Sequence, residues 1–288
     1  MPNPQGERNY LIGVNMPAKA FNSFLLVCQF ELKRLFATRK GLLYLVTFAV
    51  VWFLILIYPI RFASGLIGQQ QNSGQGGLFF EFIGFGALMN WKIPEFGIYW
   101  RFTLVMFPIL CIIITADQTC SDRARGTLRF LTLRISRGGL FFGRFAGAML
   151  IQTLLIAATL LTTIALAINR DGTLLIDAFN SSIAIAINLF LVLLPFTAMM
   201  ATLSVLVKTP KQSTTWAILI WSFLAGIISI LSSYIPALDI LKILVPGYQM
   251  TELAQLSEWT PLQLAYVPLF QTAVLLFIGY WVMGKQSL

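Results

Sequence analysis

Six long apolar runs constrain the fold of this chain more than any other feature of its 288 residues. They lie at about 41–62, 102–117, 141–168, 182–207, 215–234 and 266–283. A bilayer core about 30 Å thick needs roughly 20 apolar residues per helix, and only helices or closed barrels satisfy their backbone groups in lipid. The runs do not alternate as barrel strands do. We therefore predict an all-α integral membrane protein, with six transmembrane helices forming one domain over 41–288.

The charged residues are few and lie unevenly along the chain. Only 11% of the residues are charged, and 20 Lys and Arg face 11 Asp and Glu. If the N-terminus lies in the cytoplasm, 15 of the 20 basic residues fall on the cytoplasmic side. Cytoplasmic loops of membrane proteins carry such an excess. The pattern predicts that both termini are cytoplasmic, and it accounts for the net charge of +9 without a nucleic-acid partner.

Several classes of chemistry are disfavoured by what the sequence lacks. It has no histidine, which removes the commonest metal ligand and the Ser-His and Cys-His nucleophile pairs. Its three cysteines, Cys28, Cys111 and Cys120, have no metal-site spacing. No acidic residue lies in the middle of an apolar run, whereas carriers driven by protons or sodium ions usually need a buried carboxylate. We expect no metal on the chain, and neither an intramembrane enzyme nor a secondary carrier.

The residues before the first run are divided into two parts. We predict a flexible cytoplasmic N-terminus over 1–20 and an amphipathic helix over 21–40. Apolar residues from Phe21 to Phe36 recur at steps of three and four and form one stripe. The charged residues of the helix are Glu31, Lys33, Arg34, Arg39 and Lys40. Such a helix is typical of the membrane interface, near anionic lipid head groups. It is either a simple anchor or a contact for a partner protein.

The segment 118–140, between the second and third runs, carries charges of both signs around a Gly-Thr pair. Thr127 is a candidate N-cap for a short helix, and Ser136 for the helix that leads into the third run. The residues that we select as a candidate partner-binding loop are Asp122, Arg123, Arg125, Gly126, Thr127, Arg129, Ser136 and Arg137. Composition alone leaves two interpretations open: a loop that only fixes topology through its arginines, and a loop held by another protein.

The order of residues in this loop resembles a known family. An acid-Arg-x-x-Gly-Thr-Leu stretch at 122–128 is followed by Ser136-Arg137 and by Gly143-Arg144 at the start of a membrane helix. This pattern is similar to the permeases of type 2 ABC exporters, and among these to the small bacterial permeases encoded beside nitrous-oxide reductase maturation genes. The amphipathic helix, the six spans and a short outer element before the sixth span fit the same family. Arg125 and Arg134 depart from it, since relatives carry an acid and a proline there.

The resemblance implies a type 2 ABC exporter transmembrane domain in a bacterial inner membrane. The chain has no GxxxxGK[ST] phosphate loop, so ATP and Mg²⁺ are expected on a separate ATPase subunit, held by the loop 118–140. The chain itself is then a permease and not an enzyme, although the complex is an ATPase. An alternative function within the same family is a membrane complex that drives maturation or assembly of an envelope protein and moves no small molecule.

The resemblance also implies a second permease chain, in a homodimer or a heterodimer. In the fifth span, Gly226, Ser229, Ser232 and Ser233 form a small-residue face that allows close helix approach, at the dimer contact or along the substrate path. The other expected contacts are membrane lipid and a periplasmic protein that binds the long outer loops, 63–101 and 235–265. Those loops serve either as such a binding surface or as plain surface connections.

Overall fold

Helices make up every regular element of the described part of the chain in a computed structural model. The described residues are 16–60, 91–235, 241–256 and 258–285. The helices are α1 Met16–Ala37, α2 Arg39–Ile55, α3 Pro94–Thr115, α4 Cys120–Ala124, α5 Thr127–Thr132, α6 Arg137–Arg170, α7 Leu175–Leu206, α8 Pro210–Tyr234, α9 Met250–Leu253 and α10 Tyr266–Lys285. A π-helical turn over Leu56–Ile60 continues α2, and 3-10 turns lie over Gly172–Leu174 and Thr260–Leu264.

Six of these helices are long and apolar enough to cross a membrane: α2, α3, α6, α7, α8 and α10. This confirms the predicted all-α architecture with six transmembrane helices. Helix α7 lies at the centre and packs against α3, α6, α8 and α10. Aromatic rings of α2 and α3 form one part of the core, where Trp52 meets the edges of Tyr99 and Phe107 at centroid distances of 5.4 and 5.7 Å.

Several helices extend beyond the predicted spans. Helix α3 begins at Pro94, a residue suited to the first helical turn, and not at 102. Tyr99 and Trp100, expected in the outer loop 63–101, therefore lie inside α3 and are at most 1% exposed. Helix α7 likewise begins at Leu175 and not at 182. The sequence prediction treated charged residues as loop residues and so placed these helix starts too late. Glu95 lies on α3 because Arg170 of α6, 3.2 Å away, neutralises its buried carboxylate.

The N-terminal predictions also need correction. The amphipathic helix covers Met16–Ala37, so 16–20 are helical and not part of a flexible segment. Residues 1–15 lie outside the described residues, as do 61–90 of the first long loop. The helix ends before 40 because the Thr38 side chain accepts a hydrogen bond from the Gly41 N–H at 3.1 Å and caps α2.

Helix α1 packs tightly along the beginning of α6, where two glycines allow close approach. A Cβ atom at Gly147 would lie 2.9 Å from the Cβ of Glu31, and one at Gly143 would lie 3.0 Å from the Cβ of Val27. The Cys28 thiol donates a hydrogen bond to the Gly143 carbonyl at 3.3 Å. The two helices are therefore closer than any larger residue on α6 would permit.

Replacing Gly147 by alanine is expected to push α1 away from α6. Overpacking of this kind costs about 1–3 kcal/mol, which a lower melting temperature of the detergent-solubilised chain would reveal. Gly284→Ala is the matched control, because a Cβ atom there would meet nothing within 4 Å. Equal melting temperatures for the two variants would contradict the close packing of α1.

Candidate functional site: the loop between α3 and α6

The loop between α3 and α6 forms a compact corner of two short helices, α4 and α5. Gly126 joins them with φ +71°, a conformation that favours glycine. The Thr127 hydroxyl lies 3.1 Å from both the main-chain carbonyl oxygen and the Oδ1 of Asp122. Helix α5 begins at Thr127 and has Gly126 as its N-cap. The prediction that Thr127 is the N-cap was therefore wrong. The predicted cap at Ser136 is confirmed, since its Oγ accepts a hydrogen bond from the Gly139 N–H at 3.1 Å.

Two loop arginines attach this corner to other membrane helices. Arg123 donates to the carbonyl oxygens of Val205 and Leu206 at the end of α7, at 2.5 and 3.1 Å. Arg137 donates to the carbonyl oxygen of Gly284 at the end of α10, at 2.9 Å. The last carbonyls of a helix lack partners within it and favour a nearby cation. The loop is thereby fixed to the ends of α7 and α10.

Arg144 of α6 is a functional candidate that the sequence interpretation left out. Its side chain is only 3% exposed. The guanidinium donates to the Gln118 carbonyl and to a carboxylate oxygen of Asp122, and its Nε lies 3.8 Å from Oε1 of Glu31 on α1. Arg144 thus connects α1, the loop and α6. A lone arginine inside an apolar run needs such partners, and this was the signal that could have identified it.

Helix α1 has two different apolar faces. One packs against α6 through Val27, Cys28 and Glu31; Glu31, one of the charged residues expected near lipid head groups, is therefore buried. Its carboxylate also pairs with Arg34 at 2.9 Å. The other face shows exposed apolar side chains, namely Leu25, Leu26, Phe30 and Phe36. Lys33 and Arg39 are also exposed, while the side chain of Lys40 lies outside the described residues.

The outermost part of the loop combines apolar and basic side chains. Phe130 is 72% exposed and Leu133 is 82% exposed. Their basic neighbours Arg125, Arg129 and Arg134 are exposed as well. Leu128, on the other side of α5, is buried and holds the helix in place. We call the surface of Arg125, Arg129, Phe130, Leu133 and Arg134 the loop tip. Two large apolar side chains surrounded by cations are a typical arrangement for contact with another protein.

The small-residue face of α8 is open in the single chain. Gly226, Ser229 and Ser233 are exposed and Ser232 is half-buried. The hydroxyls of Ser232 and Ser233 donate to the Ser229 carbonyl at 3.1 and 2.9 Å. These serines therefore satisfy their polarity within the helix and present a small surface rather than hydrogen-bonding groups.

At the opposite end of the molecule, side chains of four membrane helices hold the connection between α8 and α10. Trp100 donates to the Leu253 carbonyl at 2.9 Å, and Trp221 to the Pro246 carbonyl at 2.8 Å. Gln271 donates to the Val245 carbonyl at 3.0 Å, and Asn188 to the Glu258 carbonyl at 3.3 Å. The connection includes the short helix α9, where the resemblance implied a short outer element before the sixth span.

Trp221→Phe is expected to loosen this connection, because it removes the donor to Pro246 and keeps an aromatic ring. A single hydrogen bond contributes about 1 kcal/mol, so amide exchange over 241–256 should rise about fivefold, since local opening follows the local free energy. Trp216→Phe on the same helix is the matched control, because Trp216 is exposed. If both variants exchange like the unchanged chain, this bond does not hold the connection.

Comparison with known proteins relates these features to a family. The model of the ABC-2 family transporter proteins matches residues 26–282, a range that includes most of α1, the loop and the six membrane-crossing helices. No curated protein matches the chain. Because the family match covers most of its length, the chain belongs to the ABC-2 family of transporter proteins, as a multi-pass membrane subunit of the type 2 ABC permease kind.

Proposed function

We propose that this chain is the permease of an ABC transporter that exports a substrate, or acts on it mechanically, with ATP hydrolysed by a separate ATPase subunit. Family membership supports the role of a membrane subunit. The sequence contains no phosphate loop of the GxxxxGK[ST] type, so the partner has to bind ATP and Mg²⁺. The proposed location of the protein is the bacterial inner membrane, with both termini and the loop in the cytoplasm.

The position of basic residues supports this orientation. The loop and the first turns of α6 carry six arginines: Arg123, Arg125, Arg129, Arg134, Arg137 and Arg144. Such an excess is typical of the cytoplasmic side. The exposed face of α1, with Phe30 and Phe36 beside Lys33, and the exposed Arg39 at the start of α2 suit the interface of the same membrane leaflet, where cations meet anionic head groups.

The observation that supports ATPase binding most directly is the loop tip. Phe130 and Leu133 lie outside the membrane-crossing helices, and no described residue covers them. Burying two such side chains against a partner is favourable by about 1.5–3 kcal/mol each. The surrounding arginines favour an acidic receiving surface on the ATPase.

The same geometry explains how force on the tip reaches the membrane helices. Arg123 and Arg137 attach the loop to the ends of α7 and α10, and α6 follows directly after the loop. A displacement of the tip is therefore passed to several helices as a rigid-body motion. The assigned coupling residues divide into two groups. Arg125 and Arg129 face the partner. The other six keep the corner rigid: Asp122, Arg123, Gly126, Thr127, Ser136 and Arg137.

A second permease chain completes the proposed complex. Against the described residues, helix α8 buries Ser213, Ala217 and Ile228, so most of its surface is available to another chain or to lipid. The small side chains of its open face permit a close approach of helices. We place the second copy, or a related permease, at this face.

Purification of the full chain from its native cells tests the function. A C-terminally tagged chain is extracted in mild detergent with ATP and Mg²⁺, and its partners are identified by mass spectrometry. We expect an ATPase of the ATP-binding cassette type in amounts comparable to the chain. A tagged six-span protein from another family controls for nonspecific recovery. Absence of such an ATPase, also after chemical cross-linking in the cells, would overturn the proposal.

A further inference from the structure

A chain of alternating charges connects α1 with the loop. It runs from Arg34 to Glu31, then to Arg144, to Asp122 and to Arg125. The Arg34–Glu31 pair is 2.9 Å apart, Arg144 contacts Asp122 directly, and the Arg125–Asp122 pair is 3.8 Å apart. Between Arg144 Nε and Glu31 Oε1 the distance is 3.8 Å, which makes an ion pair but not a hydrogen bond.

The guanidinium of Arg144 is divided between two carboxylates. Its Nε and a terminal nitrogen form a fork that normally binds both oxygens of one carboxylate. Here the terminal nitrogen binds Asp122, whereas Nε faces Glu31. Arg144 Nε and Glu31 Oε1 are both buried, and neither has a hydrogen-bond partner among the residues that the structure describes. Since buried polar atoms are nearly always hydrogen-bonded, a closer approach of these two atoms would satisfy both.

Each carboxylate has a second arginine of its own. Glu31 keeps Arg34 when Arg144 is on Asp122, and Asp122 keeps Arg125 when Arg144 is on Glu31. Leaving a buried charge without any partner is strongly unfavourable. The outer arginines reduce that cost, so neither carboxylate is left without an arginine when the fork of Arg144 changes its partner.

The electrostatics of Glu31 agree with a loose contact in the present arrangement. Burial raises the pKa of the Glu31 carboxyl, while Arg34 and Arg144 lower it and Asp122 and Asp117 raise it further. The two arginines therefore do not fully compensate for the loss of water around this carboxylate. A paired contact with Arg144 would improve that compensation.

We infer that Arg144 exchanges its paired contact between Asp122 of the loop and Glu31 of α1, and that this exchange passes a displacement of the loop to α1. Arg144 is thus a positioning residue, with one state bound to the loop and another bound to α1. The inference rests on the proposed function, because the ATPase supplies the displacement. The close packing at Gly143 and Gly147 leaves α1 in direct contact with α6, so the exchange changes how firmly α1 is held.

The exchange itself is tested on the purified full chain without ATPase, by hydrogen–deuterium exchange of the peptide 16–37. Asp122→Asn weakens the loop contact, so Arg144 should close on Glu31 and slow amide exchange in α1 by a factor of about 5 or more. Adding Glu31→Gln to that variant should abolish the slowing. Exchange in the Asp122→Asn chain that equals or exceeds that of the unchanged chain would overturn the inference.

The second experiment tests whether a displacement of the loop reaches α1. Amide exchange of α1 is measured in the complex with its ATPase, once with ADP–vanadate and once without nucleotide. The unchanged complex should show a nucleotide-dependent change in α1 exchange of about fivefold or more. Glu31→Gln should keep the ATPase bound and lose this change, whereas Glu31→Asp should restore part of it. Glu252→Gln is the matched control, because it removes an exposed carboxylate on α9.

The outcomes separate the two proposals. If Glu31→Gln retains the full nucleotide-dependent change in α1, the passage through Arg144 is overturned and the ATPase-coupled function stands. If the unchanged chain retains no ATPase, the proposed function is overturned. The proposal that an ATPase-driven displacement of the loop reaches α1 is then overturned as well. The exchange between Asp122 and Glu31 is then decided by the measurement on the chain alone.

Discussion

Replacing Arg144 by methionine is expected to lower the stability of the chain by about 3–5 kcal/mol, the usual cost of breaking a buried ion pair by removing one partner. Methionine fills a similar volume but leaves Asp122 and the Gln118 carbonyl without their shared donor, and Glu31 without one of its two cations. The contact of α1 with α6 and the fixed position of the loop should both weaken. Thermal unfolding in detergent, followed by intrinsic fluorescence, measures the loss.

Arg129→Met separates this effect from a general loss of positive charge. Arg129 is exposed on α5, and exposed charges contribute little to stability. Its melting temperature should stay within experimental error of the unchanged chain. A comparable fall in both variants would show that Arg144 is not a structural centre of this end of the molecule.

The double replacement Phe130→Asp with Leu133→Asp is expected to weaken ATPase binding at least about 100-fold, because two apolar contacts of about 1.5–3 kcal/mol each are lost. The fold should remain intact, since both side chains are exposed in the single chain. Titration of the purified ATPase onto the immobilised chain measures the dissociation constant, and the melting temperature confirms folding.

Two further variants make this result specific. Leu133→Ile preserves the apolar contact and should bind within about tenfold of the unchanged chain, since one volume-conserving apolar change costs less than about 1.5 kcal/mol. Leu128→Ala affects the buried side of α5, so it should lower stability more than affinity. Undiminished binding by the double Asp variant would exclude the loop tip as the docking surface.

Long apolar runs made the membrane architecture predictable, because a helix needs about 20 apolar residues to cross the bilayer core. The beginnings of α3 and α7 were not predictable from such runs. Glu95 and Arg101 near the start of α3 look like loop residues in sequence, yet Glu95 is buried because Arg170 lies 3.2 Å away on another helix. Whether a charge is neutralised by another helix depends on how the helices pack. The residue pattern within one apolar run carries no information on that packing.

The loop was recognisable from its sequence, but the direction of each side chain was not. Arg123 and Arg137 look like partner-binding cations, whereas their acceptors are main-chain carbonyls at the ends of distant helices. Main-chain acceptors leave no mark in a sequence. Glu31 and Arg144, by contrast, are charges of opposite sign in apolar surroundings, and that combination was a usable signal of pairing.

A photo-reactive amino acid at position 130, incorporated in the native cells, tests the central claim most directly. Phe130 is 72% exposed in the described part of the chain, so a benzophenone group there can reach a partner or lipid. The same group at Phe277, exposed in the middle of α10, is the control for membrane contacts. We predict a cross-link from position 130 to an ATP-binding cassette ATPase and none from position 277. Cross-links from position 130 to lipid alone, with the ATPase absent, would contradict the account.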